Sequence, residues 1–438
     1  MPNPTEVVII KRDGSITPYT TYGSARADAV SGDLIQIRAD LLNEQIVLKD
    51  LVDIWIMPGV VINNTTGDTI TNPIVSGVSQ EVHCKISGHG IIKNTGSYRS
   101  IFIDNVDSEL SIECDYIENS GSAICVQIKN AFKFNITCNK VHSQKNVAIW
   151  LGEYVTTLTG FVEQVNINIS KVESGIPGFG SSVFISHCNG FININEIQTI
   201  YAKGHCFSHR AGEVIARIKK LKTVMNTTGS IATVHTDQGT GSQKLVLYFD
   251  EILNLNGIAI ASSIAIHHHQ GTGIFIGRRI YSKDNNAVDI GGDNIKGSII
   301  CNEIVSDALS GVRIEGNNAQ FTIDAAFIEG YSFYGSIYAQ GDANLLLKNA
   351  KLINRDSSSS SRCFVLESLS SQIPRLTVRN VKAVTGNTSS GSIFYQANFS
   401  GINIFNYGLF TNKSLDSGVT LDIGNTGNFV FIESNDLT

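Results

Sequence analysis

From about residue 114 onward, apolar and polar residues alternate in short runs that recur along the chain. One run ends at a polar residue and a second short apolar run follows, as when Val172 follows Val165–Ile169. A third run, such as Val183–Ile185, lies between successive pairs. Corresponding positions are 22 to 32 residues apart, with one longer interval of 35 residues between Ile149 and Phe184. Alternation with a period of two is typical of β-strands, so each repeat predicts three short strands.

Repeats of this length with three strands each predict an all-β fold, a single-stranded right-handed parallel β-helix of about a dozen coils. Each coil stacks on the previous one and extends a continuous core. A β-propeller, with four strands in each unit, fits less well. Polar residues or glycine mark one corner of each coil, where we expect them to adopt the left-handed backbone of a sharp turn. These residues are Asp115, Asn139, Asn195, Asp250, Gly277, Asn302, Asp324, Asn349, Asn380 and Asn406.

The N-terminal region predicts a cap over the first coil. Residues 21–33 read as a short capping helix, in which Thr21–Val30 are amphipathic and Ser31 and Gly32 end the helix. A helix in this place protects the open edge of the first coil from pairing with another chain. The expected organisation is therefore an N-terminal segment at 1–20 that could serve in attachment, the helix at 21–33, and the β-helix at 34–438.

Composition narrows the function classes. Charged residues are only 16% of the chain and the net charge is −6, which argues against a nucleic-acid-binding surface. No apolar run is long enough to insert into a membrane, and Met1–Ile10 do not resemble a secretory signal, so we expect synthesis in a cytosol without conventional export. Most of the eight cysteines fall at apolar strand positions, which favours buried thiols over disulfides or metal ligands.

Two segments carry a resemblance to a known family. The stretch from Ala25–Ile35 through Met57–Ile62 resembles the first coil of the pectin-lyase-like β-helix superfamily, and Ile86–Ile92 resembles its second coil. Pectate and pectin lyases, polygalacturonases, pectin esterases and bacteriophage tailspikes share this architecture. The resemblance implies the fold for the whole chain but does not specify an activity.

The motifs of the enzymes in this superfamily are incomplete. Gly88-His89-Gly90 and Arg217-Ile218-Lys219 match polygalacturonase motifs, but the Asn-Thr-Asp and Asp-Asp motifs of that family are missing. Glycoside hydrolysis needs two acids, so we interpret both matches as chance. The sequence also lacks the clustered acids on consecutive coils that would hold calcium in a pectate lyase.

Histidines follow the third strand of several successive coils. If these strands stack in register, their side chains form one column along an edge of the solenoid. The column would contain His187, His209, His235 and His267, with His268, His269, Asp237, Asp289, Asp293 and Glu315 in the same region. Imidazoles beside carboxylates predict a glycan-binding or acid–base site, or an adventitious transition-metal site. A stacked polar ladder, with each imidazole bonded to the backbone, is the structural alternative.

Glycan binding and catalysis would involve different residues. For glycan binding the candidates are His187, His209, His235, His267 and Trp150, because an indole ring can stack on a sugar. For catalysis the weaker candidates are His209, His235, Asp237 and Glu315. Other aromatic residues are further candidates for stacking on sugar rings, although Phe and Tyr at strand positions are more typical of a core or a ladder; they are Tyr154, Tyr201, Tyr331, Phe333, Tyr334 and Tyr338. The sequence predicts neither a cofactor nor a metal site.

The leading functional hypothesis follows from the resemblance. It implies a fibre or spike protein of a bacteriophage virion, made in the host cytoplasm and binding bacterial surface polysaccharide. Such proteins commonly form homotrimers and attach to other virion proteins. One alternative is a polysaccharide-degrading lyase or glycoside hydrolase of the same superfamily. A bacterial surface adhesin is a third hypothesis. No nucleic-acid or membrane partner is expected.

Overall fold

A computed structural model of the protein describes most of the chain. The described residues are 6–65, 75–78, 80–154, 158–175, 181–200, 204–224, 231–236, 243–255, 263–332, 334–357, 361–367, 375–379, 381–385, 392–397, 403–407 and 429–433. The fold is an all-β, right-handed parallel β-solenoid of about 11 turns, close to the expected dozen coils. Contacts divide the chain into two compact units, with the boundary between Ile218 and Lys219.

The first unit begins with a hairpin and a helix. Strand β1 (Val7–Ile10) pairs antiparallel with both β2 (Ile16–Tyr19) and β3 (Leu34–Ile37). Helix α1 (Tyr22–Asp28) lies between β2 and β3 in the chain and packs on these strands. Residues 6–19 thus form part of this cap, while their attachment role remains a prediction.

Helix α1 has a clear start and a buried face. The Thr21 hydroxyl accepts a hydrogen bond from the Ser24 backbone N–H at 3.1 Å, which satisfies one of the exposed donors of the first turn. Tyr22 is buried and donates its hydroxyl to the Val47 carbonyl at 2.8 Å. The predicted capping helix is therefore confirmed. Within the described residues α1 is the only helix, and it is far too short to cross a membrane.

The remaining strands of the first unit form parallel pairs in two hydrogen-bonded sheets, except β15 and β16, which pair only with each other, antiparallel. They are β4 (Leu41–Leu42), β5 (Ile46–Val47), β6 (Asp53–Ile56), β7 (Val61–Asn64), β8 (Val75–Val78), β9 (His83–Ser87), β10 (Ile91–Asn94), β11 (Ile101–Asp104), β12 (Glu109–Asn119), β13 (Val126–Ser143), β14 (Ile149–Leu151), β15 (Glu153–Tyr154), β16 (Leu158–Gly160), β17 (Val162–Gly175), β18 (Val183–Ile185), β19 (Cys188–Ile200) and β20 (Phe207–His209). The next strand, β21 (Gly212–Val224), contains the boundary between the units.

The second unit repeats the same arrangement. Its strands are β22 (Ile231–Thr236), β23 (Gln243–Asn254), β24 (Ser263–His268), β25 (Thr272–Ser282), β26 (Val288–Gly291), β27 (Lys296–Ser306), β28 (Val312–Gly316), β29 (Gln320–Gly330), β30 (Ile337–Gly341), β31 (Asn344–Lys348), β32 (Lys351–Asn354), β33 (Arg362–Glu367), β34 (Arg375–Arg379), β35 (Lys382–Thr385), β36 (Ser392–Ala397), β37 (Asn403–Tyr407) and β38 (Phe429–Glu433).

Each central coil has one long and one short strand, and the long strand covers two faces of the coil. In β17 the buried residues Val165, Ile167 and Ile169 alternate with exposed ones, and then two successive residues, Ser170 and Lys171, point outward. After this break the alternation resumes in the opposite phase at Val172. Two of the three predicted strands are therefore the halves of one bent strand. The short strands, such as β18, form the third face.

The backbone at these corners differs from the prediction. Of the predicted corner positions that the structure describes, only Asn349 is left-handed, with φ of 56°; Asn380 lies outside the described residues. The other corners stay extended, because two outward residues are enough to bend the strand. At Asn349 the long strand instead splits into β31 and β32. Left-handed residues such as Asn294 and Asn318 lie in the turns that follow the short strands.

Asparagine side chains at the corners form hydrogen bonds from one coil to the next. The Asn139 amide donates to the Asp115 carboxylate of the preceding coil at 3.0 Å, and the Asn349 amide donates to Asp324 at the same distance. Stacked coils bring identical corner positions together, so a polar donor and acceptor there stabilise the stacking. This interaction explains the recurring Asn and Asp residues without a left-handed turn.

The core contains apolar columns and one internal polar column. Ile, Val, Leu and Phe side chains of both units are buried, and all eight cysteines are buried as reduced thiols, as expected. Most long strands end in a buried Asn, Ser or Thr that points inward. In the first unit Asn94 pairs in register with Asn119, and Asn119 with Ser143. These side chains bond to backbone groups of the following turn, so they fix the path toward the short strand.

Candidate functional site

The short strands of the second unit carry a column of polar side chains on their outward face. In register, His235 pairs with His267, His267 with Asp289, and Asp289 with Arg313. The next strand places Tyr338 beside Arg313. Each of these residues lies between two inward-facing residues of its strand. Because side chains alternate between faces, the five polar side chains share the outer surface. We call this set the polar column.

Three imidazoles lie at one end of the polar column. The ring centroids of His267 and His269 are 3.8 Å apart with planes at 78°, and their Nε2 atoms form a hydrogen bond. The His235 ring lies 5.3 Å from His267 and 6.1 Å from His269. In a hydrogen bond between two ring nitrogens one ring donates and the other accepts. Imidazoles arranged in this way can both donate and accept hydrogen bonds.

A carboxylate–guanidinium cluster follows the imidazoles. Asp289 is only 6% exposed, and its Oδ2 lies 3.6 Å from Nη1 of Arg313. The Nη2 atom of Arg313 pairs with Oε1 of Glu315. Burial raises the pKa of Asp289 to about 6; the Arg313 charge acts in the opposite direction and Glu315 adds to the rise. Asp289 therefore changes its charge near pH 6.

The far end of the polar column is aromatic. The Tyr338 ring meets the Tyr334 ring edge to face with centroids 5.4 Å apart, and the Arg313 guanidinium lies 5.9 Å from the Tyr338 centroid. The Tyr338 hydroxyl donates a hydrogen bond to Glu367. Burial and this bond raise the pKa of Tyr338, so the phenol remains a donor at neutral pH. The column thus ends in a ring surface next to charged groups.

His268 and His209 do not lie on the outer face. His268 is fully buried, its Nδ1 lies 2.7 Å from the Thr236 hydroxyl, and its ring packs edge to face on Phe275. His209, in the first unit, is also fully buried and pairs in register with Ile185, an inward-facing residue. Burial lowers the pKa of His209 to about 4. The expected column of four histidines is therefore wrong, since an odd step along a strand moves a side chain to the other face.

His187 also lies apart from the polar column. It follows β18, and its ring packs on Phe161 with centroids 4.3 Å apart. Burial lowers the pKa of His187, although a hydrogen bond with the Gly160 backbone acts in the opposite direction. Together with His209 it belongs to the first unit, whereas His235 and His267 belong to the second. In the second unit His235 and His267 lie side by side, and Glu315 pairs with Arg313 two strands from His267.

The predicted aromatic residue Trp150 lies in a second surface cluster. In the first unit it pairs in register with Phe184, and the two rings meet edge to face with centroids 4.8 Å apart. The Arg210 guanidinium lies 4.8 Å from the Phe184 centroid. This cluster occupies the outer face of the short strands in that unit. It combines an aromatic surface with a cation.

Several candidates fall outside the described residues or outside the column. Asp237, Tyr201 and Phe333 lie outside the described residues, as does the side chain of Tyr154. Asp293 accepts a hydrogen bond from the Asn317 backbone N–H at 3.0 Å in a turn. Sequence reasoning named Tyr338 only as one of several aromatic candidates and missed Arg313 and Glu367 as members of the site. For Arg313 the available signal was its place in a short strand, where a polar residue between two apolar ones points outward.

The Gly-His-Gly motif has a structural explanation. Gly88 has φ of 102°, and a Cβ atom there would lie 2.0 Å from the Ile56 carbonyl oxygen. Only glycine fits this contact. His89 is exposed and its Nδ1 lies 3.2 Å from the Asp115 carboxylate. The Gly-His-Gly motif is therefore explained by the close contact between the backbones of two coils at Gly88.

A shallow groove lies on the bent half of the long strands in the second unit. Its volume is about 850 Å³, and Tyr281, Asp307, Glu329 and Arg355 are among its lining residues. The Tyr281 hydroxyl donates to Asp307 at 2.5 Å, and Arg355 pairs with Glu329 at 2.6 Å. These pairs join neighbouring coils across the groove.

Neither a metal-binding arrangement nor a related protein identifies the chemistry. Among the described side chains, no group of three or more His, Cys, Asp or Glu residues is placed to hold a metal ion. Comparisons with family models, curated proteins and solved structures find no match to this chain. The family resemblance is therefore supported at the level of the parallel β-solenoid fold.

Proposed function

We propose that the polar column binds a glycan and that the protein is a host-binding fibre or spike component of a bacteriophage virion. The observation that carries the proposal is the register His267–Asp289–Arg313–Tyr338 on four adjacent parallel strands. A sugar presents hydroxyls that both donate and accept, with an apolar C–H face on the ring. Carboxylate, guanidinium and imidazole groups match the hydroxyls, and tyrosine rings match the C–H face.

The fixed geometry of the column favours recognition of a repeating polymer. Adjacent strands of a sheet lie about 4.8 Å apart, so three steps between four strands cover about 14 Å, the length of a few sugar units. Side chains held on a hydrogen-bonded sheet lose little conformational entropy when they bind a ligand. A rigid, mixed polar and aromatic row therefore suits a glycan chain that lies across the strands.

The biological setting of the proposal comes from the resemblance to bacteriophage tailspikes. In that setting the protein is made in the host cytoplasm, attaches to other virion proteins and contacts bacterial surface polysaccharide. A solenoid carries binding side chains at a regular spacing on its outer faces, which agrees with such a role. The Trp150–Phe184–Arg210 cluster supplies a further surface for a sugar ring.

The test is binding to a panel of immobilised bacterial surface polysaccharides. We expect the wild type to bind at least one polysaccharide and His235→Ala/His267→Ala to bind it at least about tenfold more weakly, a loss of about 1.4 kcal/mol. The matched control is His89→Ala, since His89 is exposed in the first unit. Equal binding by all three proteins would contradict the assignment of the site. No binding by the folded wild type to any member of the panel would count against the function.

One observation favours a second function, cleavage of the bound polysaccharide. Asp289 has a pKa raised to about 6, and it shares Arg313 with Glu315. Two carboxyl groups in different environments can act as acid and base in glycoside cleavage. Release of reducing ends or unsaturated products from the bound polysaccharide would support this function. We would then expect Glu315→Gln to lose turnover while it retains binding. If the wild type binds the polysaccharide without cleaving it, the function is recognition and cleavage is excluded.

A further inference from the structure

Two buried cysteines lie next to each other on adjacent coils of the first unit. Cys114 on β12 pairs in register with Cys138 on β13. Both side chains point into the core, each residue is 4% exposed, and the two Sγ atoms are 3.8 Å apart. The Cys114 thiol donates to Cys138, and the Cys138 thiol donates to the Lys140 carbonyl at 3.1 Å. We call Cys114 and Cys138 the thiol pair.

The backbone already holds the thiol pair within the range of a disulfide. Adjacent strands lie about 4.8 Å apart, so the Cα atoms of residues in register fall inside the span of about 4.4 to 6.8 Å that disulfides occupy. The sulfur atoms must approach from 3.8 Å to about 2.05 Å, which a rotation of the side chains with a small shift provides. A disulfide between the two coils therefore leaves the pairing of β12 with β13 in place.

The thiol pair lies directly beneath a corner of the solenoid. Asp115 follows Cys114 and Asn139 follows Cys138, and these two polar side chains point outward and are hydrogen-bonded to each other. A small oxidant therefore has a short path from solvent to the sulfur atoms when the corner opens locally. Cys125 of the same unit is fully buried, and its thiol donates to the Ser100 hydroxyl at 3.8 Å.

The second unit contains a single cysteine at the equivalent corner position. Cys301 is the last inward residue before the corner of β27 and is 6% exposed. Its register partners are Gly277 on β25 and Ala325 on β29, so neither neighbouring strand places a cysteine beside it. The thiol pair is therefore a local feature of the first unit, and Cys301 is its internal control.

We propose that Cys114 and Cys138 form an oxidation site, which hydrogen peroxide converts to a disulfide between two coils. One sulfur, as a thiolate, attacks a peroxide oxygen, which forms a sulfenic acid and releases hydroxide. The other thiol attacks that sulfur, which forms the S–S bond and releases water, and the hydroxide takes up the proton that the first thiol lost. Two thiols and one peroxide thus give one disulfide and two waters.

The disulfide joins residues 24 positions apart in the chain, which is about one coil. It constrains the unfolded chain and so stabilises this part of the first unit. In a reducing cytosol the pair stays as thiols, and it closes when the protein meets peroxide outside that compartment. The inference does not depend on glycan binding.

The experiment follows the oxidation of the reduced, folded protein by a small molar excess of hydrogen peroxide. The bond to Cys138 and burial both raise the pKa of the Cys114 thiol, so little thiolate is present at neutral pH and the reaction is followed for several hours. The remaining thiols are then alkylated after unfolding. The reduced protein takes up eight labels, one for each cysteine, and we expect the oxidised protein to take up two fewer.

Peptide mapping identifies the linked cysteines. Cleavage after glutamate and lysine places Cys114, Cys125 and Cys138 on the separate peptides 114–118, 119–129 and 134–140. We expect oxidation to join 114–118 to 134–140, with a loss of two hydrogens. A link through 119–129, full labelling of all cysteines, or conversion of the thiol pair to sulfinic acids would overturn the proposal.

Single variants supply the matched controls. Cys114→Ser should lose the link, whereas Cys125→Ser and Cys301→Ser should form it to the same extent as the wild type. Circular dichroism confirms that each variant is folded, and the wild-type peptide map decides the proposal without them. Oxidation should raise the melting temperature of the wild type by about 3 °C or more and leave that of Cys114→Ser unchanged. An unchanged melting temperature of the linked wild type would contradict the stabilising role of the disulfide.

Discussion

His235 and His267 occupy paired positions on two adjacent parallel strands, and their ring centroids lie 5.3 Å apart. The same outward row continues from His267 to Asp289, Arg313 and Tyr338. This row shows how a solenoid turns residues about 25 positions apart in the chain into neighbours on one surface. Two residues of this row, the buried His209 of the first unit and the internal polar ladder lead to four predictions about stability.

Asp289→Asn should change the pH dependence of stability. The pKa of Asp289 is raised to about 6, above its ordinary value, because the carboxyl is buried. The stability that comes from the neutral carboxyl is fully present below about pH 4 and is lost as the pH rises through 6. Asparagine stays neutral, so the free energy of unfolding of the variant relative to wild type should increase by up to about 3 kcal/mol between pH 4 and 7.5. Urea unfolding across this range measures the difference.

The control for this prediction is Asp293→Asn, which removes an exposed carboxyl from a nearby turn. If the difference in free energy of unfolding between Asp289→Asn and wild type stayed constant from pH 4 to 7.5, burial would not be the cause of the raised pKa of Asp289.

Arg313→Met should be costly because it leaves Asp289 and Glu315 without their shared cation. The Arg313 side chain is 39% exposed and Asp289 is almost fully buried, so solvent screens the pair in part and its loss should cost about 2 kcal/mol. The loss should be larger at pH 7.5 than at pH 5, where Asp289 is protonated. Arg278→Met breaks an exposed pair with Glu251 and should cost about 1 kcal/mol at most. Thermal unfolding of both variants compares the two costs. Equal shifts would show that Asp289 does not need its partner.

His209→Leu should make the stability of the protein less sensitive to acid. The pKa of His209 is lowered to about 4 by burial, whereas an unfolded histidine titrates near 6.5. The stability from the neutral ring is present above about pH 6.5 and is lost as the pH falls toward 4, by about 3 kcal/mol. Both His209→Leu and His209→Gln lack this titration, so both should lose less stability than wild type over that range. A wild-type slope in either variant would refute the prediction.

Asn94→Ala should destabilise the internal ladder. The buried Asn94 amide donates to the carbonyls of Tyr98 at 2.8 Å and Arg99 at 3.0 Å, and its Oδ1 accepts from the Gly96 N–H at 2.8 Å. The Gly96 N–H and the Tyr98 carbonyl each keep a second partner, Asn64 and Asn119, so the main loss is the bond to the Arg99 carbonyl, at a cost of about 2 kcal/mol. The melting temperature measures this cost.

The matched control for the ladder is Asn193→Ala, in which an exposed asparagine loses a single bond to Asn168. It should cost less than about 1 kcal/mol. If the melting temperature fell by a similar amount in the two alanine variants, the buried ladder would contribute no more to stability than an exposed hydrogen bond does.

The fold was predictable because its signal is repeated many times. The apolar spacing around residues such as Val165 and Val172 recurs in coil after coil, so local errors do not change the architecture. The corner at Asn195 was assigned to a left-handed turn on composition, whereas the strand bends there by placing two residues outward. Side-chain ladders between coils, such as Asn139 to Asp115, involve long-range neighbours that a single repeat does not reveal.

The candidate site was only partly predictable because it depends on strand parity. His267 points outward and His268 points inward, although the two are adjacent in the chain. His209 was aligned with His235 by its distance from the end of an apolar run, but the register pairs it with the inward Ile185. A shift by one residue reverses the face, so only the hydrogen-bonded register distinguishes a surface imidazole from a core one.

Hydrogen–deuterium exchange with and without a bound bacterial polysaccharide tests the central claim most directly. The account predicts slower exchange in peptides from β24, β26 and β28, which carry His267, Asp289 and Arg313. Peptides from α1 and β1 should exchange at the same rate in both states. Protection confined to other strands, or no protection with any polysaccharide, would contradict the claim that the polar column is a glycan-binding site.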